Sequence, residues 1–212
     1  MIMVSPDKAP MSLLQLLLLL LPPLLLLASA SGGAELTPPP GADAPWPDQY
    51  HAVIITNLTA SGGRLRQIDI YYDWPRGRAL NVVRDQLSPA GAPPLVNVQW
   101  SNGANFIFDA ASCDTIQFPV GLLPPDWKTT SGAAYLGRRR LDGFDCHVWS
   151  NFIFARYYED VATGYPVAWD GVNGVQHVLS FEVGGVMQDC SKWQAPAFCF
   201  NGGGSAGGPA SD

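Results

Sequence analysis

Short segments of alternating apolar and polar residues, separated by turn-forming dipeptides, constrain this chain more than any other feature. Residues 67–73 read QIDIYYD, in which apolar and polar side chains alternate along an extended backbone. Asn102-Gly103 and Asp142-Gly143 stand between segments of this kind. Both dipeptides favour the two-residue turns of β-hairpins. The pattern therefore predicts a series of antiparallel hairpins.

Eight to ten short strands follow from this pattern, and no helical period extends beyond one turn within residues 124–131. We predict a mainly β fold, a single antiparallel meander curved into a half-barrel, with a β-sandwich as the alternative. The predicted strands are residues 50–58, 67–73, 81–84, 95–100, 104–109, 135–141, 144–149, 152–159, 165–169 and 176–183.

The N-terminal region has the three parts of a secretory signal peptide. The leucine-rich residues 13–27 span only about 22 Å as a helix, short of the ~30 Å hydrocarbon core, and Pro22 and Pro23 interrupt them. Ala28-Ser29-Ala30 is a small-residue cleavage motif. We therefore predict a signal peptide over residues 1–30, with Met1 or Met11 as the start, and secretion through the ER. An uncleaved anchor is the alternative; after cleavage no integral membrane protein is expected.

The remaining chain divides into three predicted parts. Residues 31–45 form a flexible lead-in, residues 46–200 a single β domain, and residues 201–212 a disordered glycine-rich tail.

If the chain is secreted, its cysteines and one of its tripeptides predict covalent modifications. An even number of cysteines in an exported chain predicts disulfides, and four cysteines allow three pairings. We favour Cys113–Cys146 with Cys190–Cys199, because each closes a loop of moderate length; Cys190 as a free thiol is the alternative for the second. A metal site is disfavoured because the chain has no C-x-x-C motif. Asn57, in Asn57-Leu58-Thr59, is the predicted site of N-glycosylation.

Charge and motifs exclude several classes of function. A net charge of −6 argues against nucleic-acid binding. The sequence has no D-x-D pair, nucleophile elbow, P-loop or dinucleotide fingerprint, so no catalytic residue, cofactor or metal is predicted. The best carboxylate pair for glycoside chemistry is Glu159 or Asp160 with Glu182, provided that their strands are neighbours.

Residues 138–140 are consecutive arginines, the one basic cluster of the chain. They are interpreted as a charged strand edge that resists aggregation, or as a binding site for an acidic polysaccharide or a lipid headgroup.

Aromatic residues make up 11% of the chain and suggest a ligand-binding surface. If residues 152–159 form a strand, Phe152, Phe154, Arg156 and Tyr158 share one face. An apolar wall with one cation suits an amphipathic ligand with an acidic head, and these four residues are the predicted ligand site. The alternative is that Arg156 pairs with Glu182 across the sheet.

Several longer strings resemble a plant family of small secreted proteins whose activity is not established and which often carry the label "transferases, transferring glycosyl groups". The resemblance covers residues 45–200 and implies the apoplast as the location. A fainter likeness to ependymin-type and LolA-like β-proteins, carried by YYEDVATGYPV, implies a sheet curved around an apolar ligand. The family strings are APWPDQYHAVIITNL, YYDWPRGRALNVVRDQL, GFDCHVW, YYEDVATGYPVAW, FEVG and KWQAPAFCF.

Three functions compete at this point. The first is a secreted binding module for a lipid or another apolar or amphipathic ligand. The second is a glycosyl-transferring enzyme, which the family label implies. The third is a cell-wall carbohydrate-binding protein that uses exposed aromatic rings.

Overall fold

The computed structural model describes residues 36–119, 121–171 and 174–200. The predicted signal peptide, the first residues of the lead-in and the predicted tail lie outside the described residues. No helix within the described ranges is long and apolar enough to cross a membrane.

Within these ranges, eleven strands form one antiparallel sheet, which confirms the predicted mainly β fold. The order across the sheet is β6-β5-β4-β3-β2-β1-β11-β10-β9-β8-β7. Two meanders, β1 to β6 and β7 to β11, are therefore joined where the first strand pairs with the last. The strands are Gln49–Asn57 (β1), Leu65–Asp73 (β2), Arg78–Asp85 (β3), Leu95–Trp100 (β4), Ala104–Phe108 (β5), Cys113–Gln117 (β6), Ala134–Leu141 (β7), Phe144–Ser150 (β8), Arg156–Asp160 (β9), Pro166–Gly171 (β10) and Gly174–Val183 (β11).

Helical structure is short in the described part of the chain. The predicted helical turn within residues 124–131 is present as α1, Trp127–Thr130. Single 3-10 turns occupy Thr59–Ser61, Trp74–Arg76, Cys190–Trp193 and Ala197–Phe200.

The turn between β7 and β8 shows how the sequence sets the register. Asp142 and Gly143 have φ of 51° and 88°, the positive values of a type I′ turn. The turn places Leu141 opposite Phe144. The Asp142 carboxylate lies 2.6 Å from Nδ1 of His177 on β11, although two strands separate β8 from β11 in the sheet. The hairpin tip therefore curls toward the middle of the sheet.

The sheet has two faces with different covers. The front face carries Tyr50, Tyr72 and Tyr157, and residues 36–48 and 121–131 lie over it; we call these two segments the front cover. The back face carries Leu80 and Val98, and residues 186–200, the back strap, lie over it.

Part of the predicted lead-in belongs to the folded domain. Ala42 is only 3% exposed and lies in the same cluster as Trp127 and Tyr157. The prediction that residues 31–45 are a flexible connection is wrong for this part, because contact with the sheet outweighs the Gly- and Pro-rich composition.

The predicted disulfide pairing is also wrong. All four cysteines lie in the described ranges, and one disulfide, Cys113–Cys199, ties the start of β6 to the back strap. Cys146 is a buried free thiol and Cys190 an exposed one. Burial, with a smaller effect of Asp160, raises the pKa of Cys146 to about 11, so its thiol is protonated at neutral pH. Proximity along the chain misled the prediction, because pairing depends on which segments the sheet brings together.

Candidate functional site

A row of five aromatic side chains crosses the front face at one end of the sheet. Neighbouring ring centroids lie 6.3, 4.9, 4.9 and 5.0 Å apart, and the first two contacts are stacked. These separations fall in the favourable range for aromatic pairs. We call this set the aromatic row; its members in order are Trp74, Tyr72, Tyr50, Phe181 and Tyr165.

The aromatic row passes from the core to the surface. Tyr72 and Tyr50 are 4% and 8% exposed, whereas Tyr165 is 41% exposed and nearby Val183 is 51% exposed. The Tyr72 hydroxyl donates to the Leu123 carbonyl in the front cover, 2.8 Å away. Burial raises the pKa of both Tyr50 and Tyr72. Both phenols are therefore neutral, and the row offers uncharged ring surface.

A bulge in β11 is what brings Phe181 into the row. Alternation alone places His177 and Phe181 on the same face, but the register with β1 shifts between Val53 and Ile54. Phe181 then packs in the Tyr50 and Tyr72 cluster, and His177 contacts Asp142 instead. A bulge redirects the side chains beyond it, and the alternating pattern carries no signal for it.

A buried ion pair anchors the front cover to the sheet. Lys128 Nζ in α1 lies 2.9 and 2.7 Å from the two carboxylate oxygens of Glu159 on β9. The same ammonium donates to the Ala42 carbonyl at 3.3 Å. The side chains of Lys128 and Glu159 are 1% and 3% exposed. Such a pair requires close geometry, because removing two charges from water is costly.

Tyrosine and tryptophan extend this polar network. The Trp46 indole N–H donates to the Tyr157 hydroxyl at 2.7 Å, and Tyr157 bonds to Glu159 in turn. Burial raises the pKa of Glu159 above its usual value, while Lys128 acts in the opposite direction. Trp46 also packs within 6.1 and 6.2 Å of Tyr50 and Tyr72. It therefore links the ion pair to the aromatic row.

His147 on β8 is a second buried titratable group in this region. Its Nδ1 lies 2.9 Å from the Tyr135 hydroxyl, and its register partner is Glu159. Burial, with smaller effects of Arg138 and Lys128, lowers the pKa of His147. The imidazole is therefore neutral at pH 7.

Two indole donors near the ion pair have no acceptor among the described protein atoms. They are the buried Nε1 atoms of Trp127 and Trp149. An unmade hydrogen bond at a buried donor costs about 1–3 kcal/mol.

The structure separates the four residues predicted as the ligand site. β9 begins at Arg156, so Phe152 and Phe154 precede the strand and do not share a face with it. Phe152 is 62% exposed in the β8–β9 loop, and Phe154 packs against Trp46 and Trp127. β9 begins later than predicted because the Asn151 side chain holds the residues before it in a loop. Its Oδ1 accepts from the backbone N–H of residues 153 and 154.

The strand residues of that predicted site lie on the opposite face from Glu159. Arg156 is half exposed and lies 3.9 Å from Asp170 rather than near Glu182. Tyr158 alternates with Tyr157 along β9 and therefore points away from the front cluster. The predicted apolar wall around Arg156 is not formed.

The predicted carboxylate pair is not formed either. β10 lies between β9 and β11, so neither Glu159 nor Asp160 is on a strand next to Glu182. Glu159 faces Lys128 in the front cover, whereas Glu182 is the register partner of His51, on the back face. Two acids on opposite faces do not flank a common bond. No group of three metal-ligating side chains occurs among the described residues.

Sequence reasoning missed Trp46 and Lys128. Trp46 begins the predicted β domain and Lys128 lies in the predicted helical turn, but the partners of both are distant in the chain. In the sequence, each of these residues stands alone in a Pro-containing segment. Such a position does not indicate which residue it contacts.

Comparison with known proteins gives a family and little more. A crystal structure of an uncharacterized conserved protein from Thermus thermophilus aligns with a TM-score of 0.47 at 10% identity, covering 70% of this chain and 86% of that one. No curated protein matches the sequence. The model of a domain of unknown function, DUF8395, matches residues 45–199. This span includes every strand of the sheet, and the chain belongs to the DUF8395 family.

Proposed function

We propose that this protein is a secreted glycoprotein that binds an apolar or amphipathic ligand at the exposed end of the aromatic row. The observation that carries the proposal is the passage of the row from buried Tyr72 to Tyr165, which is 41% exposed beside the half-exposed Val183. Apolar and aromatic surface with a few polar neighbours is typical of small-molecule sites.

The polar groups of the front face favour binding over glycosyl transfer. Glu159 is held by Lys128 and Tyr157, so it is not positioned as a free acid or nucleophile. Glycoside chemistry needs two carboxylates that flank the scissile bond. A lipid or a sugar ring needs only a surface on which to pack, and the aromatic row supplies one.

A titration with cis-parinaric acid, a fluorescent fatty acid, tests the proposed site. We expect Tyr165→Ala to weaken binding about threefold to tenfold, because an aromatic contact contributes about 0.5–1.5 kcal/mol. Val183→Ser should weaken binding in the same direction. The matched control is Phe152→Ala, which removes an exposed ring at the other end of β9.

Two results would overturn this site. One is the absence of binding to the fatty acid; the other is an equal loss in Phe152→Ala and Tyr165→Ala. If neutral oligosaccharides bind in its place and Tyr165→Ala weakens them, the aromatic row is a carbohydrate surface and the lipid proposal is wrong.

Secretion and glycosylation form the second part of the proposal. Asn57 ends β1 and is exposed, and its Oδ1 accepts from the backbone N–H and the hydroxyl of Thr59 at 3.0 and 2.7 Å. The tripeptide thus lies in an accessible turn, as an acceptor site requires.

Export is tested on protein secreted from a eukaryotic host. N-terminal sequencing should find a start close to residue 31, and a glycosidase should reduce the mass of wild type but not of Asn57→Gln. Intact Met1 in the cytosol, or identical masses for the two proteins, would contradict this part of the proposal.

A further inference from the structure

The arginines of β7 differ from most other arginines of the described domain in having no carboxylate partner. Arg66 and Arg78 lie 2.7 and 2.9 Å from aspartates, and Arg84 lies 3.4 Å from one. Within the described ranges no acid lies at ion-pair distance from Arg138, Arg139 or Arg140, and all three are exposed. In a chain of net charge −6, three adjacent guanidiniums of this kind form a distinct cationic surface.

These arginines lie on a strand with one open edge. β7 ends the order of described strands and pairs with β8 alone among them. A register shift between Tyr135 and Gly137 disturbs its first half, and the pairing is regular from Arg138 to Leu141. The open edge and the cationic side chains therefore coincide over the same residues.

The turn geometry identifies which backbone groups face outward. The two residues that flank a two-residue hairpin turn form a hydrogen-bonded pair, here Leu141 and Phe144. Hydrogen-bonded and non-bonded pairs alternate along an antiparallel ladder. Arg139 is thus bonded to β8, whereas the backbone N–H and C=O groups of Arg138 and Arg140 point to the open edge.

We propose that the Arg138–Arg140 segment of β7 binds an extended acidic peptide segment of a partner protein by strand addition. The outward N–H and C=O groups of Arg138 and Arg140 pair with the backbone of the added strand. Acidic residues at alternate positions of that strand lie opposite the side chains of Arg138 and Arg140, and an acidic residue between them faces Arg139 on the other side of the sheet.

Charge and backbone together favour a peptide over other anions. An acidic polysaccharide would satisfy the guanidiniums but has no regular N–H and C=O ladder for the edge. A charged edge that only prevents aggregation would bind neither. The three interpretations of the arginines therefore differ in what they require of the backbone of β7.

Fluorescence anisotropy with a labelled peptide of alternating Glu and Thr tests the proposal on the full secreted chain. The triple variant Arg138→Gln/Arg139→Gln/Arg140→Gln should weaken binding about tenfold or more, since it removes the charge-assisted contacts that Arg138 and Arg140 make with the glutamates. The matched control Arg64→Gln/Arg84→Gln/Arg156→Gln removes the same charge elsewhere and should change binding less than about twofold.

A second readout follows the backbone directly. Bound peptide should slow hydrogen exchange at the amides of Arg138 and Arg140, and the same peptide with every backbone nitrogen methylated, which has no backbone N–H group, should bind much more weakly. Equal weakening in the two triple variants would overturn the proposal. So would equal affinity for the N-methylated peptide, tighter binding of polygalacturonate fragments, or no binding of any of these probes.

Discussion

The two faces of the sheet are closed by different means. The front cover is held by the buried Lys128–Glu159 pair and by indole and phenol hydrogen bonds. The back strap is held by the Cys113–Cys199 disulfide and by Trp193, which is 1% exposed and lies under the Arg78 guanidinium at 4.1 Å. One cover depends on ionisation and packing, and the other on a covalent bond.

Because the two covers are held by different interactions, they respond to different conditions. A change of pH or the loss of one charge acts on the front, where Lys128, Glu159 and His147 are buried together. A reductant acts on the back, where the disulfide closes a loop between residues 113 and 199. The two covers can therefore be perturbed one at a time.

The largest expected effect comes from breaking the ion pair. Lys128→Met leaves the Glu159 carboxylate buried without its cation, and we expect the free energy of unfolding to fall by about 3–5 kcal/mol. Chemical denaturation followed by tryptophan fluorescence measures this change.

The double variant Lys128→Met/Glu159→Leu is the control. It removes both charges and should recover most of the loss, because a buried pair often contributes little more than apolar residues of similar size. A double variant as unstable as Lys128→Met would show that packing around Lys128, rather than the unpaired charge, causes the loss.

The strands were predictable from local signals, and the covers were not. Residues 95–100 were predicted as a strand and form β4 with the same bounds, because alternation and turn residues act over a few positions. β6 was missed because CDTIQ is short and mostly polar. Contacts of the covers join residues as far apart as Trp46 and Tyr157, and no local pattern encodes such a partner.

The back strap should respond to loss of its disulfide with a smaller effect. Cys113→Ser is expected to lower the free energy of unfolding by about 2–4 kcal/mol, because the crosslink restricts the unfolded chain. Hydrogen exchange should increase in residues 186–200 and remain slow in α1.

Peptide mapping of the oxidised protein checks the pairing itself. A fragment that joins Cys113 to Cys199 is expected. A fragment that joins Cys113 to Cys146 would contradict the structure, and equal exchange of both covers in Cys113→Ser would remove the distinction between them.

The smallest expected effect is a dependence of the free energy of unfolding on pH, caused by His147 on the front face. The folded state lowers the pKa of His147, so the unfolded chain takes up a proton first as the pH falls below about 6.5. The contribution of His147 to the free energy of unfolding should therefore be constant above that pH and decrease below it, toward the lowered pKa.

His147→Asn keeps an acceptor for Tyr135 and removes the titration, so its profile between pH 7 and 5 should be flatter than that of wild type. Parallel profiles for the two proteins would show that another group carries the dependence.

The site was predicted less well than the fold for a related reason. The hypothesis around Arg156 required residues 152–159 to form one strand, and the Asn151 side chain prevents this by capping the loop. The aromatic content does not state which rings meet. The aromatic row depends on a bulge and on the pairing of β1 with β11, which are properties of the assembled sheet.

The pairing of β1 with β11 also determines when the fold can be completed during synthesis. β2 to β6 can each pair with a strand made just before, and the same holds for β8 to β11. β1 lacks one of its two neighbours until β11, which starts at Gly174, has emerged. An open strand edge is a template for wrong pairing, and contacts between distant parts of a chain slow folding. The edge of β1 is thus the position at which a nascent chain most needs protection, and it is the last edge of the central sheet to close.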